Sequence, residues 1–425
     1  MKFILFTFVI VIMFSEKRSQ SISYFLSTFL NFLCPKDPGL IKVKRINQAE
    51  RVNNAKVLDF IGLVERYHYP AEEHSVTTED GYNLVIHRIP RSPLSNNQKR
   101  KEIVFLLHGM IASSDYWVLY DPSKCLACLL ADQGYDVWVG NMRGNSYCRS
   151  HTNMTVYNPK FWQYSFHEVG TKDLPAMFNY ILNCTKQKNL YFIGHSMGAT
   201  SILALLSSKP EYNIKIKIAI FLAPCAFWVK VTPTFNNTMS FLPFLKEILR
   251  VHEIYDFLPQ SLATVTTAKT LCNDNAVTQT ICIAVLFLLF GSDAPQLNTT
   301  ALPDLLSHVP AGTSVQTLDH YYQNILANDF RNYDYGIVEN YKRYKQKTPP
   351  SYDIKKITAP IHIFYAENDM IVAEESILEL EKHLPNAFTQ KVPYKLFNHV
   401  DFVMAIDAKT FVYNSILKVI QKFVS

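Results

Sequence analysis

The sequence predicts an α/β chain: a mostly parallel central sheet flanked by helices, with a helical insertion at one edge. Three observations carry this. Short apolar runs that read as buried strands alternate with helical runs from Ile103 to Leu222, the signature of a parallel sheet wrapped by helices. The alternation breaks from Ala226 to about Arg331 and resumes near Ile361. Between one strand-like run and the helical run after it lies Gly194-His195-Ser196-Met197-Gly198, a Gly-x-Ser-x-Gly turn.

In chain order, Ile103 to Leu107 is the first strand of the alternating part, and His108-Gly109-Met110 ends it. Val137 to Gly140 is the next. Leu174, Met177, Phe178, Ile181 and Leu182 recur at helical spacing, so Leu174 to Leu182 is a helix whose apolar stripe faces the core. Leu190 to Ile193 is a strand, Ala199 to Leu206 a helix, and Ile216 to Leu222 a further strand. The insertion holds helical, aromatic-rich sequence such as Phe241-Leu242-Pro243-Phe244-Leu245 and Ile281 to Phe290. Periodicity leaves Ile281 to Phe290 open between a buried helix and a lipid-facing one. It is too short for a membrane span, which takes about 20 apolar residues. Ile361 to Tyr365 and Val392 to Phe397 read as the last strands.

The serine turn points to nucleophilic catalysis. A serine held on a tight turn between strand and helix is exposed at the sheet's carboxyl edge, and side chains at the flanking positions would strike neighbouring elements. A serine hydroxyl is a poor nucleophile until an imidazole takes its proton and a carboxylate orients that imidazole. Both partners follow in the order Ser, acid, His. Asp369 lies in Ala366-Glu367-Asn368-Asp369, just past the strand Ile361 to Tyr365, and His399 lies in Asn398-His399-Val400-Asp401-Phe402. A tetrahedral intermediate also needs backbone N–H donors. Met197, directly after the serine, and Met110, in the loop after the first strand, are the candidates.

Those motifs, with several others, carry a family resemblance. They are Asp80-Gly81-Tyr82, Leu107-His108-Gly109, Gly134-Tyr135-Asp136-Val137-Trp138, Arg143-Gly144-Asn145, Phe161-Trp162-Gln163-Tyr164-Ser165-Phe166, Asp173-Leu174-Pro175-Ala176, Ala311-Gly312-Thr313-Ser314 and Tyr333-Asp334-Tyr335-Gly336. From about Tyr69 to its C-terminus the chain resembles the acid lipases of the gastric and lysosomal type. The resemblance implies an α/β-hydrolase fold with a cap or lid insertion. It also implies a triad of Ser196, Asp369 and His399, oxyanion donors at Met110 and Met197, and a disulfide between Cys272 and Cys282. The mammalian members usually have glutamine where Met197 stands, and Gly-His-Ser-Met-Gly is closer to invertebrate members. The implied reaction is hydrolysis of triacylglycerol or sterol esters at a lipid–water interface, with no cofactor and no metal. An esterase of more soluble esters and a non-catalytic lipid-binding protein on the same fold are the alternatives.

Composition agrees with that reading. The chain has 425 residues, 48% of them hydrophobic, enough for a large core plus an insertion. Its net charge of +6 comes without a dense basic cluster, which argues against a nucleic-acid partner. The start, Met1-Lys2 followed by apolar Phe3 to Phe14, has the form of a secretory signal. The charged Ser15-Glu16-Lys17-Arg18 and a second apolar patch, Ile22 to Leu33, leave an uncleaved anchor open. The expected organisation is a signal over 1–20, hydrolase core over 45–225, cap over 226–331, and the rest of the core over 332–425. Glycosylation sequons at Asn153, Asn183, Asn236 and Asn298 fit a secreted or lysosomal protein. Cys125-Leu126-Ala127-Cys128 has the spacing of a redox or zinc pair, but it lies in a Leu- and Ala-rich run with no second pair. Two free cysteines packed in the core are expected there.

Overall fold

The computed structural model of the protein describes residues 28, 30, 31, 34, 35, 41–43, 56–94 and 102–423. The signal read over 1–20 lies outside the described residues. The main sheet is built from β1 (Glu72–Thr77), β2 (Tyr82–Ile89), β3 (Ile103–Leu107), β4 (Asp136–Gly140), β5 (Ser150–His151), β6 (Leu190–His195), β7 (Ile216–Leu222), β8 (Ile361–Tyr365) and β9 (Ala387–Lys391). Across it the order is β9-β8-β7-β6-β3-β4-β2-β1, with β5 against β2. Every pair from β9 to β4 is parallel. The strands β1, β2 and β5 pair antiparallel.

The parallel strands in the middle are apolar because helices cover both faces. All residues of β3, β4 and β6 are buried. Helices α1 (Phe60–Glu65), α2 (Leu126–Asp132), α3 (Leu174–Thr185) and α4 (Met197–Ser208) belong to this part. The α3 stripe is buried at the five positions its spacing picked out. Strand β1, by contrast, buries only Val76, and its polar sequence hides it from a search for apolar runs.

From α5 (Pro233–Ser240) the chain is helical: α6 (Leu242–Val251), α7 (Leu262–Leu271), α8 (Gln279–Phe290), α9 (Leu302–His308) and α10 (Val315–Ala327). Helix α11 (Ile337–Tyr344) leads to β8, α12 (Glu374–His383) joins β8 to β9, and α13 (Asp401–Met404) and α14 (Asn414–Gln421) end the chain. Of the two possibilities for Ile281 to Phe290, the buried helix is excluded. In α8 only Gln279 is buried, and Ile281, Val285, Leu288 and Leu289 are exposed. Among the described residues no helix is long and apolar enough to cross a membrane.

Several motif residues hold the fold together. Buried Arg143 donates through Nε to Asp173 Oδ1 at 2.8 Å and through its two terminal nitrogens to Asp80 at 2.8 and 3.0 Å. A buried guanidinium with this many charge-assisted partners is costly to disrupt, because removing either acid strips it of part of its hydrogen bonds where water does not replace them.

Two expectations need correction. Val392 to Phe397 is not a strand. The strand is Ala387–Lys391, paired in parallel with β8. As the edge of the sheet it is largely polar, so the apolar cue falls on the loop behind it. Cys125 and Cys128 are buried in the core as expected, yet they are not free. They form a disulfide with Cys125 at the N-cap of α2, a turn that brings the two residues together. The implied Cys272–Cys282 bridge is present, linking the end of α7 to α8.

Candidate active site

The turn between β6 and α4 sets the geometry. Ser196 has φ 50° and ψ −116°, a strained conformation for a residue with a side chain. A Cβ on Gly194 would lie 2.7 Å from the Phe192 ring and 2.8 Å from Ala199 N, and one on Gly198 would lie 2.5 Å from Leu107 O. Only glycine fits at either side of the serine.

The two predicted partners converge on it. His399 Nε2 lies 2.9 Å from Ser196 Oγ, so the hydroxyl donates to the ring. On the other side His399 Nδ1–H donates to Asp369 Oδ2 at 2.7 Å. The second oxygen of Asp369 accepts the N–H groups of Ile371 at 2.8 Å and Val372 at 3.0 Å. That leaves one carboxylate oxygen for the imidazole. Asp369 and His399 are both buried, and the ring of Phe290 lies parallel to the His399 ring at 6.4 Å.

The oxyanion candidates occupy adjoining backbone. Met197 heads α4, so its N–H belongs to the first turn, where amides lack an intrahelical carbonyl and the helix favours negative charge. The loop carrying Met110 abuts the nucleophile: a Cβ on Gly109 would lie 3.3 Å from Ser196 Cβ. His108 steadies this loop. Its Nδ1–H donates to Gly109 O at 2.7 Å, and Gly109 O shares a peptide plane with Met110 N–H. Its Nε2 accepts from Met142 N–H and Asn145 Nδ2, both at 3.2 Å. Burial lowers the His108 pKa to about 4, which keeps the ring in the neutral form these three bonds require.

Sequence reasoning passed over several residues. His195 Nε2–H donates to the His399 carbonyl at 2.9 Å, tying the Ser196 turn to the His399 loop. Burial, with His399 nearby, lowers its pKa to about 3. Cys225 Sγ sits 3.7 Å from Ser196 Oγ, and burial pushes its thiol up to about 12, so it lines the site without competing as a thiolate. Asn368 and Asn398, one residue before Asp369 and His399, bond to the insertion. His195 lies within the serine turn, and Asn368 and Asn398 lie next to Asp369 and His399, which is the only signal the sequence carries for them; their bonds run to distant chain positions. Of the sequons, Asn153, Asn183 and Asn236 are exposed and Asn298 is half-buried.

The sequence matches two family models, the partial alpha/beta-hydrolase lipase region over residues 60–121 and the alpha/beta hydrolase fold over residues 102–265. It is 36% identical to Lipase 3 of Drosophila melanogaster over 359 residues, covering 84% of this chain and 91% of that protein. It is 36% identical over 370 residues to the gastric triacylglycerol lipase of Homo sapiens, covering 85% and 90%. Lipase member K of Homo sapiens is 35% identical over 392 residues, with 90% and 94% covered. A putative lipase from Sulfolobus solfataricus shares the fold, with a TM-score of 0.56 at 15% identity over 83% of this chain and 94% of that one. The chain belongs to the gastric-type acid lipase family of α/β-hydrolases and is a carboxylic ester hydrolase.

Proposed function

We propose that the chain hydrolyses carboxylic esters of water-insoluble lipids, triacylglycerols or sterol esters, through an acyl-enzyme on Ser196. The observation that carries this is the unbroken relay from Ser196 Oγ to His399 at 2.9 Å and from His399 to Asp369 at 2.7 Å. As Ser196 Oγ attacks the ester carbonyl, His399 Nε2 takes its proton, and Asp369 stabilises the resulting imidazolium. The N–H groups of Met197 and Met110 receive the oxyanion, where each donor is worth about 3 kcal/mol. His399 then protonates the departing alcohol. Water, activated by the same imidazole, attacks the acyl-enzyme and releases the fatty acid.

The lipid substrate follows from the insertion. Residues 226–331 act as a cap on a core formed by 45–225 and 332–425, and the exposed apolar side chains of α6 and α8 favour an apolar phase. Passage through the secretory pathway, to the exterior or the lysosome, fits two disulfides and the sequons at Asn153, Asn183, Asn236 and Asn298.

Ser196→Ala tests the assignment. Turnover of emulsified triacylglycerol and labelling by a fluorophosphonate should both be lost, with activity falling about 10⁴-fold or more. Residual turnover well above that level in a folded variant sinks the mechanism. Comparing emulsion with a soluble short-chain ester separates a lipase from an esterase of soluble esters.

A further inference from the structure

The last residue of α8 and the two after it form a strap across both triad loops. Met370 N–H donates to Phe290 O at 3.3 Å. Asn398 Nδ2 donates to Gly291 O at 2.9 Å. Asn368 Nδ2 donates to Ser292 O at 3.0 Å and to Leu396 O, in the loop of the base, at 2.8 Å. Three consecutive strap carbonyls are thus held by residues immediately beside Asp369 and His399. The approach is close: Gly291 has φ 114°, and a Cβ there would lie 2.3 Å from Asn368 O and 3.0 Å from Asn398 Cβ.

Asn398 is itself braced. Its Oδ1 accepts the N–H groups of Val400 and Asp401 at 3.0 and 3.2 Å, while Asp401 Oδ2 accepts Asn398 N–H at 2.7 Å. A shift of Gly291 O therefore acts on a rigid turn with His399 at its centre. Along α8 away from the strap, Val285 in its middle and Ile281 near its start are exposed.

We infer that Asn368 and Asn398 are positioning residues that couple the exposed apolar helix α8 to the acid and base of the triad. This rests on the triad reading above and goes beyond it. Seating α8 on lipid sets the placement of Asp369 and His399 through the strap, and a loosened strap degrades catalysis even when no lipid is present. Displacing a reacting group by about 1 Å can cost 10²-fold in rate.

The full chain carrying Asn368→Ala, Asn368→Gln or Gly291→Ala tests this with water-soluble probes. Asn368→Ala and Gly291→Ala should react with a small fluorophosphonate at least tenfold more slowly than the parent. On a soluble short-chain ester their kcat should fall with KM unchanged. Asn368→Gln, which restores an amide donor, should recover part of the loss. Parental labelling rates in folded Asn368→Ala and Gly291→Ala, with loss confined to emulsified substrate, overturn the coupling and leave the strap as a cap anchor. A parent chain that does not label at Ser196 overturns the triad, and the coupling with it.

Discussion

Helices α4 and α8 are both twelve residues long and both apolar, yet their surroundings are opposite. Met197–Ser208 is buried at every position except Ser208, while Gln279–Phe290 is buried only at Gln279. The first lies behind the nucleophile against the parallel sheet. The second lies on the outside of the insertion, anchored at its ends by the Cys272–Cys282 bridge and the strap at Gly291. An apolar helix can thus be buried in the sheet's core or left exposed at the surface, so composition alone does not decide where such a helix lies. Only the packing separates them.

Three measurements sharpen that contrast, beginning with the largest effect. Ile202→Ala in α4, where Ile202 is 0% exposed, should lower unfolding stability by about 2–5 kcal/mol. Leu288→Ala in α8, 49% exposed, should change it by no more than about 0.5 kcal/mol. Equal losses in denaturant titrations would erase the distinction between the helices. Next, Ile281→Asp with Leu288→Asp should weaken sedimentation with lipid vesicles on the order of tenfold to a hundredfold, as one or two apolar side chains lose their burial in lipid. Turnover of a soluble ester should stay at the parental level. Unchanged vesicle binding would remove α8 from the lipid-facing surface.

The smallest effect lies at the junction of the two regions. Burial raises Asp401's carboxyl to about 8 against the bond from Asn398 N–H, and Asp293, just past the Gly291 strap, adds to the rise. An unfolded aspartate releases its proton near 4. Between those values the folded chain binds the extra proton, so stability is fully present below about pH 4 and declines as pH rises towards 8. Asp401→Asn should flatten thermal midpoints measured across that range. An unaltered slope would assign the effect to other groups.

What the sequence made legible follows the same physics. Strands Ile103–Leu107, Ile216–Leu222 and Ile361–Tyr365 were readable to the residue because they are covered on both faces and mostly apolar, with Lys217 and His362 the exceptions. Glu72–Thr77 and Ala387–Lys391 were not: the exposed positions of the first are polar, and the second ends in Thr389-Gln390-Lys391 at the sheet's edge. Ser196, Asp369 and His399 could be found because each ends a strand-like or turn-like signal in the expected order. Asn368 and Asn398 gave no such signal, as their meaning lies in contacts to Ser292 and Gly291, far away in sequence. The Cys125–Cys128 bond was missed for a related reason: local composition gives helix and burial, but not oxidation state.

The neutral histidines beside the nucleophile have a consequence for proton counting. With His108 and His195 held uncharged by burial down to about 4 and 3, the wall behind Ser196 keeps a constant charge from mild acid to neutrality. Those two rings add no change of charge beside an entering substrate over that range. The acid side of the rate profile should therefore have unit slope, the mark of a single proton leaving before the ester can be attacked.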